Sequence, residues 1–309
     1  MFPAPFDYER ATSVGEALDL LEAHADDHVE LLAGGHSLVP AMKERERTPD
    51  VVVDLDVPEL SGISVLSDRT VVGALTTYAD IADAEALPEN APLLPETVAE
   101  VGDVQIRNMG TIGGNLAEAH PAADPPAAVL ANDATILLRD RDGKREVPAT
   151  DFFLGEGETA VEPGEILAGV RVPHTDDAGV AYAKKTHPAT GYAMVGVAAV
   201  VDVEGAAGDG ARDANEGGEG TVSSARVAAT GAVDRAVRLP SVEDVLVGGS
   251  ADAEAIDAAA SEALADVDAD RLRSDAYASG SFRGDLLETY VARALESAVE
   301  RATGEAPTA

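Results

Sequence analysis

Apolar and polar positions follow two periods along the chain, and the changes of period divide it. In "TSVGEALDLLEAHAD", Val14, Ala17, Leu18 and Leu21 recur at helical spacing, with Ser13 and Glu16 placed as a capping box. Val29–Ala33 and Val51–Leu55 are short, mostly apolar runs, the pattern of buried strands. This first unit spans residues 1–56. In residues 57–173, "TVVGALTTYADIADAEAL" predicts a strand and then a helix with Thr76 or Thr77 near its N-cap, and "PLLPETVAEVG" predicts a helix. "DVQIRNMGTIGGNLAEAHPAAD" reads as loop-rich, "ATILLRDRDGKREVP" as a hairpin turning at Asp142-Gly143, and "EILAGVRVP" as a closing strand.

Residues 174–303 hold three strand-like runs, "GVAYAKKTH", "AMVGVAAVVDVEG" and "TVSSARVAATGAV", and then two helices. In the last helix Leu287, Tyr290, Val291, Ala294, Leu295 and Ala298 form one apolar stripe, expected to pack on the chain's own sheet. Strands grouped before helices indicate an α+β class, with a C-terminal antiparallel sheet and helices. Glu204–Gly220 is glycine-rich, acidic and aperiodic, the composition of an extended, mobile hairpin loop; Gly205, Gly208 and Gly210 within it have no helix after them to make a dinucleotide fingerprint. Residues 304–309 are expected to form a frayed tail.

The chain has 309 residues, 57 of them acidic and 22 basic, for a formal net charge of −35. Lysine occurs only at positions 43, 144, 184 and 185. A uniformly acidic, lysine-poor surface fits a salt-loving source, because molar salt shortens the Debye length to about 3 Å. It leaves no basic stripe for nucleic acid. No apolar run approaches the roughly 18 residues of a membrane span, and the N-terminus lacks a signal-peptide pattern, so a cytoplasmic address is expected. With no cysteine, disulfides and cysteine-held iron–sulfur clusters are excluded from this chain. The six histidines lack metal-ligand spacing, so no metal is expected.

The stretch "VELLAGGHSLVPAMK" admits two chemistries. Gly35-His36-Ser37 could open a nucleophile elbow, which would make Ser37 the nucleophile of a serine hydrolase. That motif needs a glycine two residues after the serine; Val39 is there, and Pro40 interrupts the expected helix. His120, His174 and His187 each sit beside a proline-containing turn, and nothing singles one out as a base. Alternatively, Gly34-Gly35 is a cradle whose main-chain amides hold a phosphate. A second pair, Gly113-Gly114, stands between Thr111 and Asn115, and two such turns could clamp one diphosphate. A third reading is a cofactor-free assembly module.

"LLAGGHSLVPAMK", followed some seventy residues later by "QIRNMGTIGGNLAEAHPAAD", resembles the FAD-binding medium subunit of the molybdenum hydroxylase family. That family includes aerobic carbon monoxide dehydrogenase and the FAD domain of xanthine dehydrogenase. The similarity continues through "GEILAGVRVP", "AYAKKTHPATGYAMVGVAAVV" and "ARVAATGAVDRAVR". It implies a PCMH-type FAD-binding fold, with residues 1–56 and 57–173 as two α+β subdomains holding FAD between them and the flavin ring facing the C-terminal domain. Leu31, Leu32, Ala33, Gly34, Gly35, His36, Ser37 and Leu38 would form the first FAD loop. Thr111, Ile112, Gly113, Gly114 and Asn115 would form the second, with Gly113 and Gly114 presenting amides and Asn115 a side-chain hydrogen bond. Asp124 would contact a hydroxyl of the cofactor, Leu167 would touch the flavin side, and Lys184 would place a cation near the ring. No residue of this chain is assigned as catalytic.

The resemblance also implies a large molybdopterin-binding partner and a small iron–sulfur partner, an arrangement that allows a homodimer of the heterotrimer. Electrons from the partner clusters would reach FAD here and leave to a quinone or to NAD. Two departures from the family stand out: the Glu204–Gly220 loop is longer and more acidic, and "HPATGYA" lacks the usual arginine-rich stretch.

Overall fold

The computed structural model describes residues 2–205 and 220–304. The acidic loop expected over Glu204–Gly220 therefore lies, except for its ends, outside the described residues, as does the tail beyond Gly304.

The N-terminal sheet is parallel, in the order β1 (Asp7–Ala11), β3 (Val51–Leu55), β2 (Val29–Leu32). Its crossovers are α1 (Val14–Ala23) and α2 (Leu38–Glu44). The run Val51-Val52-Val53 is continuous because the central strand is covered on both faces. Val51 and Val53 pack with Val14, Ala17 and Leu18 of α1, while Val52 turns to Leu38 and Met42 of α2. The Ser13 hydroxyl caps α1 by accepting the Glu16 N–H. The Glu16 carboxylate returns to Thr12 and not to Ser13, so the box is closed one residue earlier. Pro40 does not break α2; it sits in the first turn, where its missing N–H leaves no bond unmade.

The middle sheet is antiparallel, in the order β4 (Ile63–Val65), β5 (Arg69–Gly73), β10 (Ile166–Pro173), β6 (Thr135–Arg139), β7 (Lys144–Pro148). Between β5 and β6 run α3 (Tyr78–Ala82), α4 (Leu87–Asn90), α5 (Leu93–Ala99), α6 (Val104–Arg107), α7 (Ile112–Glu118) and α8 (Pro125–Ala131). A short α9 (Ala149–Phe152) and a small hairpin, β8 (Phe153–Gly155) with β9 (Glu158–Thr159), precede β10. The passage read as loop-rich is thus half helical, and the second glycine pair lies inside α7. Glycine costs a helix about 1 kcal/mol relative to alanine. Burial of Ile112 and Leu116 in the middle core and the Thr111 cap offset that cost. The start of β10 joins the first two sheets, with Ile166 packed in the N-terminal core and Leu167 in the middle one.

The third sheet runs β11 (Gly179–Thr186), β12 (Ala193–Glu204), β13 (Thr221–Thr230), β14 (Val237–Arg238). Successive residues of β12 face opposite cores. Ala198 and Val200 join the middle core, where α5 and α8 pack. Val197, Ala199 and Val201 face α10 (Pro240–Leu246), α11 (Ala253–Ser261) and α12 (Gly280–Thr303). The whole predicted stripe of α12 is buried there. Among the described residues, no helix is long and apolar enough to cross a membrane.

Candidate functional site: a cleft between two glycine turns

Gly34-Gly35-His36-Ser37 links β2 to α2. Gly35 has φ +71°, a left-handed conformation that L side chains rarely adopt. At Gly34 the constraint is space: a Cβ there would lie 2.2 Å from the carbonyl oxygen of Met109 and 2.9 Å from the Cα of Gly110. A Cβ on Gly114 would stand 2.9 Å from Thr111 Oγ1 and 3.5 Å from the Cβ of Ala33. The first glycine turn therefore meets the main chain at Met109–Gly110, just ahead of α7, while Gly114 within α7 faces the Ala33 side chain. The two turns line one cleft of about 510 Å³, within the usual range for small-molecule sites.

The two turns contribute differently. Among the described residues, the N–H groups of Gly35, His36, Ser37 and Leu38 have no main-chain acceptor, so the first turn offers unspent donors to an anion. The amides of the second pair are already engaged. Gly113 N–H donates to Ala74 O at 2.8 Å, and Gly114 N–H to the Thr111 hydroxyl at 3.2 Å. The expectation that Gly113 and Gly114 present amides is corrected accordingly: these glycines provide clearance, while the Gly113 N–H ties α7 to Ala74 and the Gly114 N–H completes the Thr111 cap. Asn115 Oδ1 is buried and has no partner, leaving an acceptor within the cleft wall. Tyr78, beside Asn115, has its phenol pKa pushed up by burial.

Of the residues implicated by sequence, Leu31, Ala33, Gly34, Gly35, His36, Ser37, Leu38, Thr111, Gly113, Gly114, Asn115, Asp124 and Leu167 line the cleft. Leu32 packs instead against Leu38, Met42 and Val52, and Ile112 lies fully buried in the middle core. Lys184 stands behind the wall. Its ammonium donates to Asp124 Oδ2 at 2.9 Å and to the Glu100 carbonyl at 3.0 Å. Tyr182 donates to the other oxygen of Asp124 at 2.5 Å. Both charged side chains are 3% exposed. Burial pushes the Asp124 carboxyl above the usual carboxylate range, while Lys184 and Tyr182 draw it back down.

Sequence reading missed Tyr78, Glu118, Thr190 and Tyr192, all cleft residues. Glu118 follows Gly114 by four positions, so recognising α7 as a helix would have put both on one face. Ser37 shares the cleft with Glu118 and Tyr192, and burial raises the pKa of each. Tyr192 stacks on His120 at 4.4 Å. Ser37 has an ordinary helical backbone, φ −107° and ψ −51°, without the strain of a nucleophile elbow. Its polar neighbours are a carboxylate and a phenol rather than a histidine base. The hydrolase reading has no support here.

The family model for the FAD binding domain in molybdopterin dehydrogenase matches residues 4–175. The chain belongs to this family. The model for the CO dehydrogenase flavoprotein C-terminal domain matches residues 180–298. The carbon monoxide dehydrogenase medium chain of Hydrogenophaga pseudoflava is 36% identical over 97% of this chain and 99% of its own. The xanthine dehydrogenase FAD-binding subunit of Escherichia coli O157:H7 is 26% identical over 96% and 97%. Among solved structures, carbon monoxide dehydrogenase from H. pseudoflava superposes with a TM-score of 0.88 at 35% identity, covering 97% of this chain and 99% of that one. Quinoline 2-oxidoreductase from Pseudomonas putida 86 gives 0.86 at 29% identity, covering 98% and 100%. The chain is an FAD-binding oxidoreductase subunit of α+β fold. Its own residues fit FAD: unspent amides in the first turn, the bare backbones of the second, and the orphaned Asn115 oxygen.

Replacing Gly114 with valine should abolish FAD retention while circular dichroism stays native, because the branched side chain fills the gap between Thr111 and Ala33. Stoichiometric flavin in Gly114→Val would contradict this. Lys184→Met strands the Asp124 carboxylate and should cost about 3–5 kcal/mol in urea denaturation of the deflavinated protein at neutral pH. A carboxyl with a raised native pKa binds its proton more tightly folded than unfolded, so stability falls as pH rises through that pKa. The Lys184→Met deficit should therefore shrink on acidification, and adding Asp124→Asn should recover most of it at neutral pH. A deficit equal at both pH values would contradict the buried-charge account.

Proposed function

We propose that this chain is the electron-transfer flavin subunit of a three-chain molybdenum hydroxylase of the carbon monoxide dehydrogenase type. The carrying observation is the convergence of the two glycine turns on one cleft, in a chain similar from end to end to a carbon monoxide dehydrogenase medium chain. In this reading the amides of Gly35 through Leu38 bind the cofactor diphosphate, supplying positive potential that a lysine-poor chain does not draw from side chains. Asn115 Oδ1 and Asp124 accept from cofactor hydroxyls. Leu167 supplies an apolar contact on the flavin side. Lys184 acts through Asp124, fixing the carboxylate and offsetting its charge.

Bound FAD supplies the acceptance of single electrons and the release of a pair, to a quinone or to NAD. Residues 1–56 and 57–173 are the two FAD-binding units in this proposal, and residues 174–303 the third wall. A chain without cysteine depends on a small partner for iron–sulfur clusters and on a large partner for molybdopterin and the substrate pocket. The whole assembly works in the cytoplasm.

Affinity purification of the tagged chain from its native source should yield a yellow complex with two further polypeptides, one carrying molybdenum and the other iron. Native mass measurement then distinguishes one heterotrimer from a pair. A colourless chain recovered alone would contradict the proposal.

A further inference from the structure

The wall of the cleft nearest the C-terminal sheet is a turn from His187 to Tyr192, between β11 and β12. Its Thr190, Gly191 and Tyr192 line the cleft. Pro188, Ala189 and Thr190 are exposed, so apolar packing does little to fix the turn. His187, by contrast, is buried. Its Nδ1 accepts the N–H of Ala189 at 3.2 Å and that of Thr190 at 3.3 Å. Its own N–H donates to Tyr192 O at 2.7 Å, and its carbonyl accepts from Gly191 N–H at 3.0 Å. One residue thus closes both ends of the turn.

The imidazole is held in turn from beneath. Because Nδ1 accepts, the hydrogen of the neutral ring belongs on Nε2, which lies 4.0 Å from Asp275 Oδ2. The ring also meets Tyr277 edge-on at 4.5 Å. Asp275 accepts the N–H groups of Tyr277 and Ala278 and pairs with Arg283 in the first turns of α12. Arg283, itself buried, also donates to the carbonyls of Met194 and Gly231. A run of hydrogen bonds from α12 thus passes through Arg283 to Asp275, which stands 4.0 Å from His187 Nε2 without a direct hydrogen bond.

We propose that His187 is a positioning residue for the cofactor: its bare Nδ1 clasps the turn so that Thr190–Tyr192 stay closed on the cleft. The proposal rests on the assignment of the cleft to FAD.

The test is the dissociation constant for FAD of the purified, deflavinated complex, measured by flavin fluorescence for wild type, His187→Leu and His187→Asn, with a thermal melt of each. His187→Leu should bind about tenfold more weakly, the order of one lost hydrogen bond. His187→Asn should stay within about threefold of wild type, because its side-chain oxygen can accept the same N–H groups. Wild-type affinity in His187→Leu, or an asparagine variant as weak as the leucine one, would overturn the clasp. Failure of wild type to take up FAD at all would overturn the cofactor assignment and the clasp together.

Discussion

The carbonyl oxygen of Met109 occupies the space that a Cβ on residue 34 would need. That approach of one bare main chain to another brings the β2–α2 turn against the α6–α7 segment, and the cleft exists because of it. Gly35 then turns the chain through a left-handed conformation, so that consecutive amides face the opening. On the other side, Thr111 caps α7 while Gly114 leaves clearance toward Ala33. Side-chain-free positions are needed on both turns, for different reasons. One turn needs exposed donors; the other needs to come close.

This division of labour suits a chain with a net charge of −35. Amide dipoles give a local positive potential whatever the surface charge, and they need no counter-ion of their own. Among the charged residues of the cleft wall, Asp124 is neutralised by Lys184 and anchored by Tyr182, both drawn from the C-terminal sheet. Breaking either bond would leave a polar group buried without a partner, which costs more than the bond itself contributes. The third sheet is therefore more than a neighbouring layer. Covered by helices on both faces, it is a stiff platform from which Tyr182, Lys184 and the His187 turn reach the cofactor side of the molecule.

Much of this was legible in the sequence where a local pattern had one cause. The mostly apolar run at Val51–Leu55 announced a buried strand, "AMVGVAAVVDVEG" announced another strand, and the stripe on α12 announced a helix packed on its sheet. The first glycine turn was legible as a link after a strand, while its chemistry stayed open between a nucleophile elbow and a phosphate cradle until the second pair and the family resemblance bore on it. The passage around Gly113 was not, since glycines and a proline-rich ending argue locally against helix, and only the Thr111 cap and the buried Ile112 and Leu116 reverse that. Pro125-Pro126 likewise reads as a breaker but opens α8, where missing N–H groups cost nothing. Tyr78 and Tyr192 could not be found from spacing alone, because tertiary contact, not sequence distance, brings them to the cleft, whereas Glu118 lies one turn beyond Gly114 on a helix whose pattern was obscured.

The account turns on the contact at Gly34, and flavin content reads it directly. Gly34→Ala, compared with Gly15→Ala in the open first turn of α1, should lose its FAD, because a single methyl group there must push the two turns apart. Gly15→Ala should keep its cofactor, since the nearest atom to the added methyl is 4.0 Å away. Full flavin occupancy in Gly34→Ala would contradict the claim that backbone contact between the two turns forms the site.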